Sequence, residues 1–229
     1  MKIIGSGLLA NGFLARYTAL PADVIVFASG VSNSQESSDE NFQRERKMLS
    51  LLPFDVKLVY FSTCSIESSE KKNTPYVLHK CSIENELLLR RIKPLILRLP
   101  QVVGSGGNSR NLLNFVSYSI QNNLEFDIQG SAFRNLIDVQ DVVDITLMLI
   151  NLNANGVMNV ANPLNVSVLD IVRHLEMVLN KKANYNIVDG GIDLTIDISK
   201  VIRLIPGYEN FFESDYNYRL ISKYFKAAN

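Results

Sequence analysis

The side chains best placed to do chemistry in this chain of 229 residues fall in one stretch. Tyr60-Phe61-Ser62-Thr63-Cys64-Ser65 is followed shortly by Thr74-Pro75-Tyr76-Val77-Leu78-His79-Lys80. Thr74 suits a helix N-cap and Pro75 the first helical position, so a helix is predicted to begin there. Tyr76 and Lys80 then stand at i and i+4 on one face, a single turn apart. A free phenol has a pKa of ~10 and exchanges protons poorly near neutrality. A neighbouring ammonium and the positive end of a helix both favour the phenolate. A hydroxyl such as that of Thr63 could hold a carbonyl oxygen while Tyr76 gives or takes a proton. That chemistry suits hydride transfer at a sugar or alcohol carbon, with a bound nicotinamide as hydride carrier. The alternative is a surface tyrosine beside a solvated lysine, so the surroundings must decide.

Those surroundings begin at the N-terminus. Met1 to Ile4 reads as a short buried strand running into Gly5-Ser6-Gly7-Leu8-Leu9-Ala10, a GxGxxA pattern. A helix should follow, with Leu8, Leu9, Phe13, Leu14 and Tyr17 as its apolar positions. Gly5 permits the tight turn, Gly7 lets a pyrophosphate approach the main chain, and Ala10 lets helix pack on strand. The helix N-terminus would then face phosphate groups. Asp23 to Ala28 is a second strand, ending in the small-residue loop Ser29-Gly30-Val31-Ser32-Asn33, which leaves room for a ligand. Asn41 to Leu52 is a helix with Phe42, Met48, Leu49 and Leu52 inward, and Val56 to Phe61 is the next strand. Strand, helix and strand at this spacing make a right-handed crossover unit.

Ser65 to Asn73 reads as a flexible loop, and the Tyr76 helix continues to about Arg91, ahead of Pro94. Leu95 to Leu99 is a strand whose exit, Arg98 to Gly107, is glycine-rich. Leu112 to Gln121 is a helix and Glu125 to Gly130 a strand. Arg134 to Val143 opens a helix reaching about Leu152, with Asp141 as its N-cap. Gly156 to Ala161 is a strand, Ser167 caps a helix from Val168 to about Leu179, and His174 on it reads as structural. Asn186 to Asp189 is a strand, and a last helix lies near Asp215 to Phe225.

Composition narrows the function classes. Apolar residues make up 47% and charged residues 20%, which is ordinary for a globular domain with one sizeable core. Lys plus Arg equals Asp plus Glu at 23 each, so no net basic charge argues for nucleic acid. Cys64 and Cys81 form no metal-binding pattern, and with two histidines no metal site is expected. No signal peptide precedes Met1, and the longest apolar run, Ile145 to Leu152, is too short to span a bilayer. A cytoplasmic protein that does not engage membranes is expected.

Taken in order, these motifs resemble the extended short-chain dehydrogenase/reductases, in particular the NAD-dependent epimerase/dehydratase branch that acts on nucleotide-activated sugars. The motifs that carry the likeness are Gly5-x-Gly7-x-x-Ala10, Val24 to Ala28, Ser62-Thr63, Tyr76-x-x-x-Lys80, and Arg98 to Gly104 with Arg134 to Asp141 behind it. The resemblance spans Met1 to about Asp170. It implies an α/β fold: a Rossmann-like doubly wound parallel sheet over residues 1–163, with a small C-terminal substrate lobe over 164–229. The segment 105–134 would contribute to the substrate side. It implies NAD or NADP as cofactor. Gly5, Gly7, Leu8 and Ala10 would line its phosphates, and Ala28, Ser29, Gly30 and Ser62 its other contacts. Thr63 would bond the substrate oxygen, Tyr76 would be the acid/base, and Lys80 would hold the nicotinamide ribose and lower the phenol pKa. Arg134 matches an arginine that binds the substrate diphosphate, and Gln101 falls where asparagine is more usual.

The departures also inform. The family usually inserts two more strands between the first helix and the strand at Asp23 to Ala28, where this chain has only Ala19 to Ala22. The sheet is therefore expected to be truncated, and no residue to read the adenosine ribose is found, so NAD and NADP are not distinguished. The family's dehydratases carry an Asp-Glu pair after the threonine. Cys64 and Ser65 stand there instead, which disfavours elimination of water. The expectation is an NAD(P)-dependent reductase or epimerase of a nucleotide sugar, with a 4-keto-6-deoxy sugar reductase of surface polysaccharide or O-antigen assembly in front. The alternatives are a degenerate dinucleotide-binding sensor or scaffold, and a reductase of a non-sugar carbonyl. A homodimer through the Asn41–Leu52 and Tyr76–Arg91 helices is expected by resemblance.

Overall fold

The computed structural model describes residues 2–16, 23–106 and 111–226. The expectations for Met1, Tyr17, Ala19 to Ala22 and Gly107 lie outside the described residues. The chain opens with β1 (Lys2–Ile4), α1 (Leu8–Ala15), β2 (Val24–Phe27), α2 (Asp39–Ser50) and β3 (Lys57–Thr63). A 3-10 turn (Cys64–Glu67), α3 (Pro75–Leu88), β4 (Leu95–Leu99) and β5 (Gln101–Val103) follow. Then come α4 (Leu112–Gln121), β6 (Glu125–Gln129), β7 (Phe133–Arg134), β8 (Leu136–Asp138), α5 (Val139–Asn151) and β9 (Gly156–Asn159). The chain continues through β10 (Val166–Ser167), α6 (Val168–Leu179), β11 (Asn184–Val188), α7 (Ser199–Leu204) and α8 (Tyr216–Phe225).

Five parallel strands form the central sheet in the order β1-β2-β3-β4-β9. Its strands are apolar at nearly every position because both faces are covered, and successive side chains supply opposite faces. Val24 and Val26, Val59 and Phe61, and Leu95, Leu97 and Leu99 enter the core shared with Phe13, Val142 and Val143. Ile25 and Phe27, Leu58 and Tyr60, and Ile96 meet Leu49, Leu52, Ile83 and Leu87 on the other side. Helices α1 and α5 thus cover one face, and α2 and α3 the other. That is the doubly wound arrangement expected. The truncation is also present: β1 pairs only with β2 and forms the sheet edge among the described residues.

The C-terminal part is tied in by two small pairings, β6 with β11 and β7 with β10, and a third, β5 with β8, links the segments before it. Its apolar side chains, from Val168 and Leu175 to Tyr208 and Ile221, join the same core as α1 and β4. No helix among the described residues is long and apolar enough to cross a membrane.

Several local expectations need correction. Leu14, expected inward, is 57% exposed, whereas Phe13 and Ala10 are buried as expected. The strand read as ending at Phe61 runs on to Thr63, because parallel pairing with β4 continues through Ser62 and Thr63. The loop drawn from Ser65 to Asn73 begins as a 3-10 turn, and Ser68 is buried. Arg134 lies in β7 and does not open a helix. The N-cap of α5 is Asp138, whose carboxylate accepts from Gln140 N–H at 2.8 Å. Asp141, expected as that cap, accepts from the Tyr216 hydroxyl and ties α8 to α5. His174 bonds Ser222 at 2.8 Å and lies against Tyr218, a structural role.

Candidate active site

The proton-transfer pair is assembled where β3 ends and α3 begins. Thr74 caps α3 by accepting from Val77 N–H at 3.4 Å, and Pro75 fills the first turn. This places Tyr76 against Thr63, the last residue of β3, and both are buried, at 6% and 7% exposure. The Thr63 hydroxyl lies near the phenol and favours its ionised form. The Thr63 oxygen accepts from Ser65 N–H at 3.1 Å. Burial pushes the phenol up to about 12, the Thr63 hydroxyl opposes this, and the Glu45 and Cys64 side chains add to it. The sequence led us to expect the opposite direction, with Lys80 lowering the phenol. Desolvation of the phenolate outweighs any such effect here.

Lys80 is only 2% exposed. Its ammonium donates to Glu45 Oε1 at 3.1 Å, to the Tyr60 hydroxyl at 2.9 Å and to the Phe61 carbonyl at 3.4 Å. Burial lowers its pKa, and the Glu45 carboxylate works against that. Glu45 has no exposed surface. Burial alone would raise its carboxyl, but the His79 bond, the Lys80 charge, Tyr60 and Val31 outweigh it and bring it down to about 2. The sequence reading missed Glu45, although its spacing from Phe42 and Leu49 on an otherwise polar helix marks it as inward-facing.

The glycine motif lies beside this pair. Gly5 has φ +138°, and a Cβ there would come within 2.4 Å of the Ala28 carbonyl, so only glycine lets the two loops close. Gly7 is the N-cap of α1, has no side-chain cap, and has open space where its Cβ would stand. Ala10 is wholly buried. Leu8 packs against Gly104, which brings the glycine-rich exit of β5 over the start of α1. Ala28 is bonded to β1 through its N–H and the Ile4 carbonyl at 2.8 Å. Arg44 donates to the Ser29 carbonyl at 3.1 Å, and Gly30 lies over Lys80 and Glu45. The Ser62 hydroxyl is buried with no hydrogen-bond partner. The open approach at the N-terminus of α1 fits a dinucleotide phosphate, and the unsatisfied Ser62 hydroxyl, on β3 two strands away, fits a further polar group of such a ligand.

Arg134, expected at the substrate, is half-buried and donates to the Phe133 carbonyl at 2.7 Å. Burial lowers its pKa, and Lys71 feels its charge, so two cations share this region. Lys71 went unremarked in the sequence, because nothing local links it to a residue 63 positions on. Gln101, in β5, donates its side-chain amide to the Asn111 side chain. The thiol of Cys64 is buried and pushed well up by that burial. Glu67, the carboxylate on the same turn, is engaged by Arg98 at 3.2 Å and Asn159 at 2.9 Å.

Residues 5–161 match the NAD-dependent epimerase/dehydratase family. The chain belongs to that family. It is thereby an enzyme of the extended short-chain dehydrogenase/reductase type, in a family that is NAD-dependent. No curated protein matches it in sequence. Among solved structures it is similar to RMD from Pseudomonas aeruginosa complexed with NADPH, with 14% identity, TM-score 0.67, and 88% of this chain and 80% of that one covered. It is also similar to UDP-N-acetylglucosamine 4-epimerase from Methanobrevibacter ruminantium M1 in complex with UDP-N-acetylmuramic acid, at 16% identity, TM-score 0.70, covering 88% and 74%. A third is TunA, an NAD-dependent NDP-hexosamine 5,6-dehydratase of tunicamycin biosynthesis, at 18% identity, TM-score 0.69, covering 88% and 76%.

Proposed function

We propose that the protein is an NAD(P)-dependent reductase of a nucleotide-activated sugar, acting on a keto carbon, with a 4-keto-6-deoxy sugar as the favoured substrate. The observation that carries this is the Tyr76 phenol, buried at the start of α3 against Thr63 at the end of β3, with Cys64 and Ser65 standing where an elimination would need carboxylic acids. Burial raises the phenol, so it is protonated at neutral pH and suited to donate to an oxygen that gains charge during reduction. The carbonyl oxygen would accept from Thr63 and Tyr76, and the phenol would pass its proton to that oxygen as charge develops there. A bound NADH or NADPH would supply the hydride. Gly5, Gly7, Leu8 and Ala10 would face its phosphates, with Ala28, Ser29, Gly30 and Ser62 beside the rest. Arg134, with Lys71 near it, would meet the substrate diphosphate, which the planar guanidinium suits, and Gln101 would lie alongside.

Elimination is disfavoured, since Cys64 is an unionised buried thiol and Glu67 is held by Arg98 and Asn159. In this reading residues 1–163 carry the dinucleotide, and 164–229 close on the sugar together with 105–134. A homodimer through α2 and α3, a cytoplasmic location and a place in surface polysaccharide assembly belong to the same proposal. A second reading, a dinucleotide-binding sensor, is favoured by one observation: all three protons of Lys80 already have acceptors within the protein.

The deciding assay mixes the purified protein with NADH or NADPH and a panel of nucleotide 4-keto-6-deoxy sugars, and follows loss of the reduced cofactor. Turnover of at least one sugar supports the reductase. Binding of dinucleotide with no turnover across the panel would move the conclusion to the sensor.

A further inference from the structure

The sequence pointed to Lys80 and overlooked the carboxylate beneath it. Glu45 accepts from Val31 N–H at 2.7 Å, the Tyr60 hydroxyl at 2.6 Å, His79 Nε2 at 3.0 Å and Lys80 Nζ at 3.1 Å. An ionised carboxylate offers about four acceptor sites, so Glu45 is saturated. An ammonium has three N–H donors, and those of Lys80 are matched by Glu45, Tyr60 and Phe61. The donors to Glu45 come from separate elements: the loop after β2, the strand β3 and two residues of α3. His79 is itself held by stacking on Phe42, with ring centroids 4.4 Å apart. A Cβ on Gly30 would stand 2.8 Å from Lys80 Nζ and 2.9 Å from Glu45 Oε1. The loop proposed to lie against the dinucleotide therefore rests on this pair with main chain alone.

A buried ion pair is weak as a stability device, since a well-packed apolar pair of similar volume often does as well. What the cluster does strongly is fix where the ammonium sits. We propose that Glu45 is a positioning residue for Lys80: it seats the ammonium beneath Gly30 and governs how much of that charge reaches Tyr76 and a dinucleotide lying on the Ala28–Gly30 loop. The functional half of this inference rests on the reductase reading; the pairing half does not. The charged or titratable groups around the ammonium are Glu45 and Arg44 on α2, Tyr60 on β3, and Tyr76, His79 and Glu84 on α3. Glu45 offsets the ammonium and itself disfavours a Tyr76 phenolate. The longest of the Lys80 bonds, 3.4 Å to the Phe61 carbonyl, is the donor that a ligand hydroxyl could take without breaking the pair.

The test compares wild type, Glu45→Gln and Glu45→Gln/Lys80→Met as full chains. In Glu45→Gln the buried lysine loses its counter-ion, and the thermal midpoint at pH 7 is expected to fall by roughly 5 °C or more. A lysine whose folded pKa is depressed binds fewer protons than the unfolded chain does. The variant's midpoint should therefore climb from pH 7 to pH 10 more steeply than that of wild type. The double variant should recover most of the loss. No steeper climb and no recovery would overturn the pairing. If Glu45→Gln does not fold while the double variant does, that rescue supports the pairing, and Glu45→Asp replaces Glu45→Gln below.

For the positioning role, the alkaline fall in reductive kcat should begin about one pH unit earlier in the variant, because the phenol is easier to ionise. NADH binding at pH 7 should tighten by about threefold as Lys80 donors are released. A pH–rate profile that superimposes on wild type would leave Glu45 structural only and overturn the proposal. If wild type turns over no sugar, the reductase reading fails separately, and the NADH affinity decides: an unchanged Kd overturns the positioning role.

Discussion

The two ends of the crevice are built to different standards. At the β3–β4 end the groups proposed for chemistry are over-determined: Thr63 is held by Ser65, Tyr76 by a capped helix, and Lys80 by three acceptors. At the β1 end the sheet stops. β1 is three residues long and its far side pairs with no strand among the described residues. A fold of this type places phosphates and nicotinamide at the strand order's reversal, and adenosine beyond it. Among the described residues the order β1-β2-β3-β4-β9 runs in one direction with no reversal, so the strands on one side of β1 are present and those that would lie beyond it are not. The machinery for moving a proton is thus separable from the machinery for gripping the far end of the cofactor.

The hardest test of the chemical end is Tyr76→Phe. It removes the proton donor and keeps the ring, so the packing of Val31, Phe42 and Val77 should stand. Reductive kcat should drop by about 10³. Cofactor affinity, read by quenching or calorimetry, should change little. Unchanged turnover would take the phenol out of the mechanism.

Next in size is a contrast between two glycines. Gly5→Ala sets a methyl against the Ala28 carbonyl at a φ of +138°, and should cost about 3 kcal/mol of stability or more. Gly7→Ala meets open space at φ −83°, and should cost under about 1 kcal/mol. Yet Gly7→Ala should weaken dinucleotide binding by about tenfold, because the methyl stands where a phosphate would approach. Equal effects of the two changes on folding would mean that the turn is not what Gly5 is there for.

What could be read in advance follows from range. Strands β2 and β4 and helices α3, α4 and α6 announce themselves through unbroken apolar runs, capping residues and a proline stop, all of them local. The Thr63 and Tyr76 meeting was legible because a family motif supplies it. Glu45, Lys71 and the ties of Asp138 and Asp141 to α8 were not, since each depends on a partner dozens of residues away. The direction of the Tyr76 shift failed for a related reason. Sequence shows that a lysine is one turn away, but not that the phenol is buried deeply enough for desolvation to dominate, with a carboxylate from another helix adding to the rise.

The same carboxylate predicts acid sensitivity at the chemical end. Glu45 stands at about 2 in the folded protein against 4.5 when free. The unfolded chain therefore takes up its proton first, and the contribution of Glu45 is full above about pH 5 and lost as pH falls toward 2. It amounts to about 3 kcal/mol. Urea midpoints measured from pH 6 to pH 3 should fall in wild type and fall less in Glu45→Gln/Lys80→Met. Parallel curves would show that the Glu45 carboxyl is not depressed.

The smallest effect belongs to the open end and sharpens the comparison most. Discrimination between NAD and NADP normally needs a carboxylate to bond the ribose 2′-hydroxyl or an arginine to meet the 2′-phosphate. Between α1 and β2 the charged residues are Arg16, which pairs with Asp144 at 3.2 Å, and Asp23, whose charge acts on Lys57, so both are engaged within the protein. The nearest candidate on the loop side, Arg44, is directed at the Ser29 carbonyl and hydroxyl. NADH and NADPH should therefore bind within about tenfold of each other, under about 1.4 kcal/mol. Removing the adenosine altogether, by using reduced nicotinamide mononucleotide, should also cost less than it would in a protein with a complete sheet. A strong preference for either cofactor would mean that a group outside the described residues reads the ribose, and that the far end of the crevice is closed after all.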